Sequence, residues 1–128
     1  MIYIDSSAAL AHLLAEARSP PATLWQELLV SSRLLEYEIW NRINAIGQQA
    51  SLGDDARLLL DRTYLHDMSR PVLERALAPW PTPIRTLDAL HIATLEYLRR
   101  GGEEIDLATY DHRMIATART LGIPLAAL

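Results

Sequence analysis

The sequence predicts an α/β fold: one domain built on a central, mainly parallel sheet with helices on both faces. Short apolar runs bounded by polar residues alternate with longer stretches whose apolar residues recur at spacings of three and four. Alternation of that kind marks parallel strands joined by helical crossovers. The length of 128 residues suits a single domain able to bury a core, and no repeat, low-complexity tract or linker divides it.

In order, residues 2–5 read as a first strand, followed by a helix over 7–17 with Leu10, Leu13 and Leu14 on one face. Ser19-Pro20-Pro21 starts a short helix through Leu24 and Trp25, and residues 28–31 form the second strand. Ser32 is an N-cap for a long helix whose Leu35, Ile39, Ile43, Ile46 and Ala50 make one stripe. Gly53 ends that helix, and Asp54 or Asp55 opens another through Leu58, Leu59 and Arg62. Residues 64–68 form a short strand and 70–77 a helix. The run Pro79-Trp80-Pro81-Thr82-Pro83 is a loop, since neither a helix interior nor a central strand accommodates it. Thr86 caps a helix over 87–100, and Gly101-Gly102 stops it. Residues 105–109 are a strand, 111–121 a helix and 125–128 a last strand.

Composition narrows the class. Half the residues are hydrophobic and 22% are charged, as in ordinary globular proteins. No apolar stretch approaches the roughly 18 residues of a membrane helix, and no basic stretch precedes the first apolar run, so no secretory signal is expected. The absence of cysteine excludes disulfides, thiol catalysis and Cys-ligated zinc, and suits a cytoplasmic protein. The net charge of −4 argues against a basic nucleic-acid patch. Against that, every basic residue is Arg, which suits forked phosphate contacts better than Lys.

Acidic residues carry the functional signal. Asp5 and Asp111 each follow a predicted parallel strand, so both belong at one edge of the sheet. Asp88 lies in the first turn after Thr86, and Glu38 about two turns into the long helix. Helices that follow parallel strands begin at the strands' carboxyl edge, where open α/β sheets bind ligands. Other roles exist for each: Asp88 is favoured by the helix dipole, and Glu38 could pair with Arg42 one turn on. Glu36 stands roughly 200° from Glu38 around the helix, so only one of them faces a given site. Glu38, flanked by Leu35 and Ile39, is the better candidate, while Asp106 reads as surface. Converging carboxylates repel one another unless protonated or bound to a cation. All-oxygen donors suit Mg²⁺ or Mn²⁺, whereas His12, His66, His91 and His112 show no mutual ligand spacing. His91 reads as a core or surface histidine. Hard cations held by carboxylates bind phosphate oxygens and activate water, which makes phosphodiester hydrolysis the natural chemistry.

These segments resemble the motifs of PIN-domain nucleases, and especially of the VapC toxins of toxin–antitoxin pairs. Met-Ile-Tyr-Ile-Asp-Ser-Ser-Ala resembles the first motif, and Ser-Arg-Leu-Leu-Glu-Tyr-Glu, closing on Glu38, the second. Leu-Asp-Ala-Leu-His-Ile-Ala places the third motif's acid on Asp88, and Thr-Tyr-Asp the fourth's on Asp111 with a supporting hydroxyl on Thr109. The resemblance implies a PIN-like α/β/α domain and a Mg²⁺- or Mn²⁺-dependent endoribonuclease with Asp5, Glu38, Asp88 and Asp111 as metal ligands. It also implies an inhibiting antitoxin and toxin homodimers. Ser7 and Thr109 are then supporting or phosphate-contacting hydroxyls. Trp25, Trp40 and Trp80 are candidate apolar anchors for partners. A second reading keeps the acids for a non-cleaving RNA-binding module that blocks translation. A third, an aspartyl-phosphate phosphatase or receiver domain, lacks an Asp two residues after Asp5 and any Lys to hold the phosphoryl group.

Overall fold

Strands β1 (Ile2–Ile4), β2 (Leu29–Ser32), β3 (Thr63–His66) and β4 (Asp106–Ala108) pair in the order β3-β2-β1-β4. The structure is a computed structural model describing residues 1–128, and all three strand pairings are parallel. Helices α1 (Ser6–Leu13), α2 (Leu34–Ala45), α3 (Gln49–Asp61), α4 (Arg70–Leu77), α5 (Thr86–Arg100) and α6 (His112–Thr120) supply the crossovers and flanks. A 3₁₀ turn at Ala22–Gln26 leads into β2.

Strand alternation sorts the core into two layers. Ile2, Ile4, Leu29 and Ala108 face α1, α2 and α3, where they meet Leu35, Ile39, Ile43 and Leu59. Tyr3, Val30 and Leu107 face the other way, against Ile92 and Leu95 of α5 and Met114 and Ala118 of α6. Strands buried on both faces need continuous apolar sequence, which is why Ile2-Tyr3-Ile4 does not alternate with polar residues. Each such side chain, fully buried, contributes roughly 1.5–3 kcal/mol. α4 lies outside this sandwich, packed on α5.

Three helices close on the same device. At the end of α2, Gly47 takes φ +66°, its N–H donates to the Asn44 carbonyl at 3.2 Å, and the Gln48 N–H donates to Ile43 at 3.1 Å. That pair of bonds is a Schellman cap, and it needs a left-handed residue. α6 ends likewise on Gly122, at φ +70°. α1 ends likewise on Ala15, at φ +50°, the one non-glycine residue with positive φ.

Several expected boundaries move. Gly53 does not stop a helix; it lies inside α3, which opens at Gln49 rather than at Asp54 or Asp55. The stripe of Ala56, Leu59 and Leu60 carries α3 through it, and Gly53 lets α3 approach the Trp40 ring, 3.5 Å from where a Cβ would sit. Thr86 is the first residue of α5, not its cap; Arg85 holds that position without a side-chain bond. Ser32 ends β2, yet its Oγ still accepts the Leu34 N–H at 3.1 Å. α1 stops at Leu13 rather than 17. The expected last strand reduces to one parallel bridge between Leu107 and Leu125.

Candidate active site

Strand order reverses direction beside β1: the chain runs outward from β1 to β2 and β3, then returns to place β4 on the other side. At such a switch point the loops after two neighbouring strands part and leave a crevice at the carboxyl edge. Asp5 leaves β1 there, and Thr109 and Asp111 leave β4 beside it.

Asp5 is the most constrained of the acids. Only 3% of it is exposed. Its Oδ1 accepts the Ser7 hydroxyl at 2.7 Å and the Ala8 N–H at 3.1 Å, and its Oδ2 accepts the Thr109 hydroxyl at 2.7 Å. Ser7 Oγ in turn accepts the Tyr110 N–H at 2.8 Å, so the loop after β4 is tied to the start of α1. The carboxylate thus caps α1 as well as facing the crevice. Burial pushes the Asp5 carboxyl above its usual range, against the pull of Ser7, Thr109, His91 and Ala8. Capping does not require such burial, since most N-caps face water.

Glu38 and Glu36 separate as helix geometry requires. Glu38 Oε2 accepts the Ser6 hydroxyl at 3.0 Å, and Oε1 meets His91 Nε2. Glu36 instead pairs with Arg33 at 3.2 Å, out on the surface. Arg42 forms no ion pair with Glu38, which is committed to His91.

Asp88 and His91, three residues apart, share one face of α5. The Asp88 Oδ2 is buried and has no hydrogen-bond partner. Its carboxyl is pushed up, first by burial and then by the charge of Asp111, with Asp5 and Glu38 adding to the effect and His91 opposing it. Asp88 therefore feels all three other acids. Asp111 caps α6, its Oδ1 accepting the N–H groups of Arg113 at 2.8 Å and Met114 at 3.2 Å.

His91 is more than a packed histidine. It is 1% exposed and bridges the two layers of the site. Its Nδ1 lies 2.7 Å from the Tyr3 hydroxyl, and that oxygen already accepts the Ser32 N–H at 3.1 Å. Burial raises the Tyr3 pKa, so the phenol keeps its proton. The other ring nitrogen, Nε2, is turned to the Glu38 carboxylate. The expectation of a bland histidine missed this contact. Its spacing from Asp88 was the available signal, while the long-range approach of Tyr3 and Glu38 left none.

Residues 2–120 match the PIN domain family. The chain belongs to the PIN-domain family. It is 30% identical over 133 residues to ribonuclease VapC47 of Mycobacterium tuberculosis, a match spanning 98% of this chain and 96% of that protein. With ribonuclease VapC46 of the same species it shares 33% identity over 129 residues at the same coverage. Its fold is similar to a chain of a toxin–antitoxin complex from Klebsiella pneumoniae, with a TM-score of 0.65 over 91% of both chains and 16% identity.

Within this PIN fold, no three acidic or histidine side chains stand close enough to enclose an ion as they are placed. Both Glu38 oxygens are turned to protein partners, Ser6 and His91. The donor set still fits a hard divalent cation: it is all oxygen, and a buried Asp88 oxygen lacks any partner. A surface cavity of about 590 Å³ between Arg99, Glu103 and Asp106 opens at the opposite, amino edge of the sheet, away from this chemistry. No helix is long and apolar enough to cross a membrane.

Proposed function

We propose that this PIN-domain chain is the toxin of a toxin–antitoxin pair and a Mg²⁺- or Mn²⁺-dependent endoribonuclease. Asp5, Glu38, Asp88 and Asp111 are the proposed metal ligands and catalytic residues. The observation that carries the reading is the buried, unpartnered Asp88 oxygen among three other carboxylates at the switch point. The ribonuclease names of the curated relatives and the toxin–antitoxin title of the structural neighbour support it.

Each residue has a definable task. Ser7 and Thr109 fix both oxygens of Asp5 from the protein side, so that its remaining lone pairs face the crevice. His91 and Ser6 orient Glu38 in the same way. Asp111 spends one oxygen on the α6 cap and keeps the other for the site. A bound divalent cation supplies an activated water and neutralises charge on the phosphoryl oxygens. Pre-oriented carboxylates hold their geometry without reorganisation as the phosphodiester is attacked.

Asp5→Asn tests this directly. Losing a positioning carboxylate damages the transition state more than the ground state. RNA cleavage should fall on the order of 100-fold, about 2.7 kcal/mol of barrier. RNA affinity should change far less, and Glu36→Gln should behave as wild type. If Asp5→Asn arrests growth like wild type while the purified protein cleaves no RNA with either metal, occupancy is the function and the nuclease reading fails.

A further inference from the structure

Beside the acids lies a second feature to which the cleavage chemistry assigns no role. A notch of about 290 Å³ opens between α1, α2 and the loop after β4. Leu10, Leu14 and the Tyr110 ring form its walls, and Arg18 and Arg42 stand at its rim. The Arg18 guanidinium lies over the Tyr110 ring, 4.6 Å from its centre. The Tyr110 hydroxyl is buried without a hydrogen-bond partner. Neither arginine takes part in any of the ion pairs of the structure. Glu16 also lines the notch, exposed, and leaves the rim with net positive charge.

Ser7 connects this notch to the acids. It lines the notch, donates to Asp5 and accepts the Tyr110 N–H. Whatever occupies the notch therefore sits one side chain away from Asp5.

We infer that the Tyr110–Arg18–Arg42 notch binds the nucleotide flanking the scissile phosphate of single-stranded RNA. The inference rests on the ribonuclease reading for its ligand. Unstacked RNA bases are held on aromatic rings and on guanidinium planes, and Arg18, seated over the Tyr110 ring, presents such a guanidinium at the notch. Apolar walls from Leu10 and Leu14 accept the faces of a flat base. The two rim guanidiniums suit the phosphate that follows that base. A basic rim disfavours a cationic peptide in the same place.

Fluorescence anisotropy with a labelled single-stranded oligoribonucleotide pool in EDTA reads binding apart from cleavage. Tyr110→Ala should weaken binding by roughly 10-fold, the scale of one stacked base. Arg18→Ala and Arg42→Ala should each lower the slope of log affinity against log salt by about 0.7, the signature of one lost phosphate contact on a single strand. Arg119→Ala, at the far end of α6, is the control. Leu14→Trp, which fills the notch, should change the base preferred next to the cut when a random RNA is cleaved with Mn²⁺. Wild-type protein that binds the pool as predicted but cleaves nothing sinks the nuclease reading and leaves the notch as an RNA-binding site without a scissile phosphate beside it. The notch is overturned if affinity, salt slope and cut-site preference of these variants all match Arg119→Ala. It is also overturned if they impair only capture of an antitoxin peptide.

Discussion

Asp88 shows how a single residue reports on the whole site. Its folded pKa is raised, as is that of Asp5, so the folded protein holds protons more tightly than the unfolded chain does. Stability then falls as pH rises from the ordinary carboxylate range through the raised values, because the unfolded state binds fewer protons across that window. Without divalent metal, the wild type should lose thermal midpoint between mild acid and neutral pH relative to Asp88→Asn, which removes the charge. Parallel midpoint curves for the two proteins would show that Asp88 is not strained by its neighbours. His91 teaches the complementary lesson at this scale. Its type and place in α5 were plain in the sequence, but its bond to Glu38, 53 residues away, exists only once β1, α2 and α5 are assembled.

At the scale of elements, the Schellman caps make the sharpest forecast. Ala15 sits in a left-handed conformation that costs an L-residue roughly 1–2 kcal/mol. Ala15→Gly should therefore stabilise the protein by about 0.5–1 kcal/mol after the entropy that glycine loses. Gly47→Ala should destabilise it by about 1 kcal/mol through the same strain. Urea denaturation measures both, and equal signs for the two changes would contradict this account of the caps. The same physics explains what the sequence concealed. Gly47 and Gly53 are both plausible stops, but only Gly47 has φ positive, whereas Gly53 lies inside α3 beside the Trp40 ring. The apolar stripe across Gly53 was the clue that outweighed it. Periodicity and apolar runs sufficed for the sheet strands and for α5. Thr86 and the segment after Pro124 misled because capping and edge pairing depend on neighbours that local sequence does not specify.

For the molecule as a whole, the exposed apolar surface bears on partners. The tryptophans named as anchors are partly buried, Trp25 and Trp40 against one core layer and Trp80 against the other. Trp80 is further held by Arg75, whose guanidinium lies 3.7 Å from its ring centre. Large exposed apolar side chains are instead Leu77 at 87%, Leu28 at 72%, Leu58 at 63% and Tyr64 at 59%. Leu28 and Tyr64 line one apolar notch, and exposed apolar patches mark interaction sites, so a homodimer and antitoxin capture remain the proposal with these exposed residues in place of the tryptophans. Sedimentation should show a dimer that Leu77→Glu or Tyr64→Glu weakens. Monomer alone across a wide concentration range would remove the homodimer.

The central claim, that the four acids form one divalent-metal site, is tested most directly by the thermal midpoint of the purified protein with and without Mn²⁺. A ligand that binds only the folded state adds about 2.7 kcal/mol at roughly 100 times its dissociation constant. Wild-type protein should therefore gain midpoint with Mn²⁺, and Asp5→Asn and Asp88→Asn should lose most of that gain while unfolding cooperatively without metal. A wild-type midpoint that Mn²⁺ and Mg²⁺ leave unchanged, or a gain that survives both substitutions, would contradict the shared site.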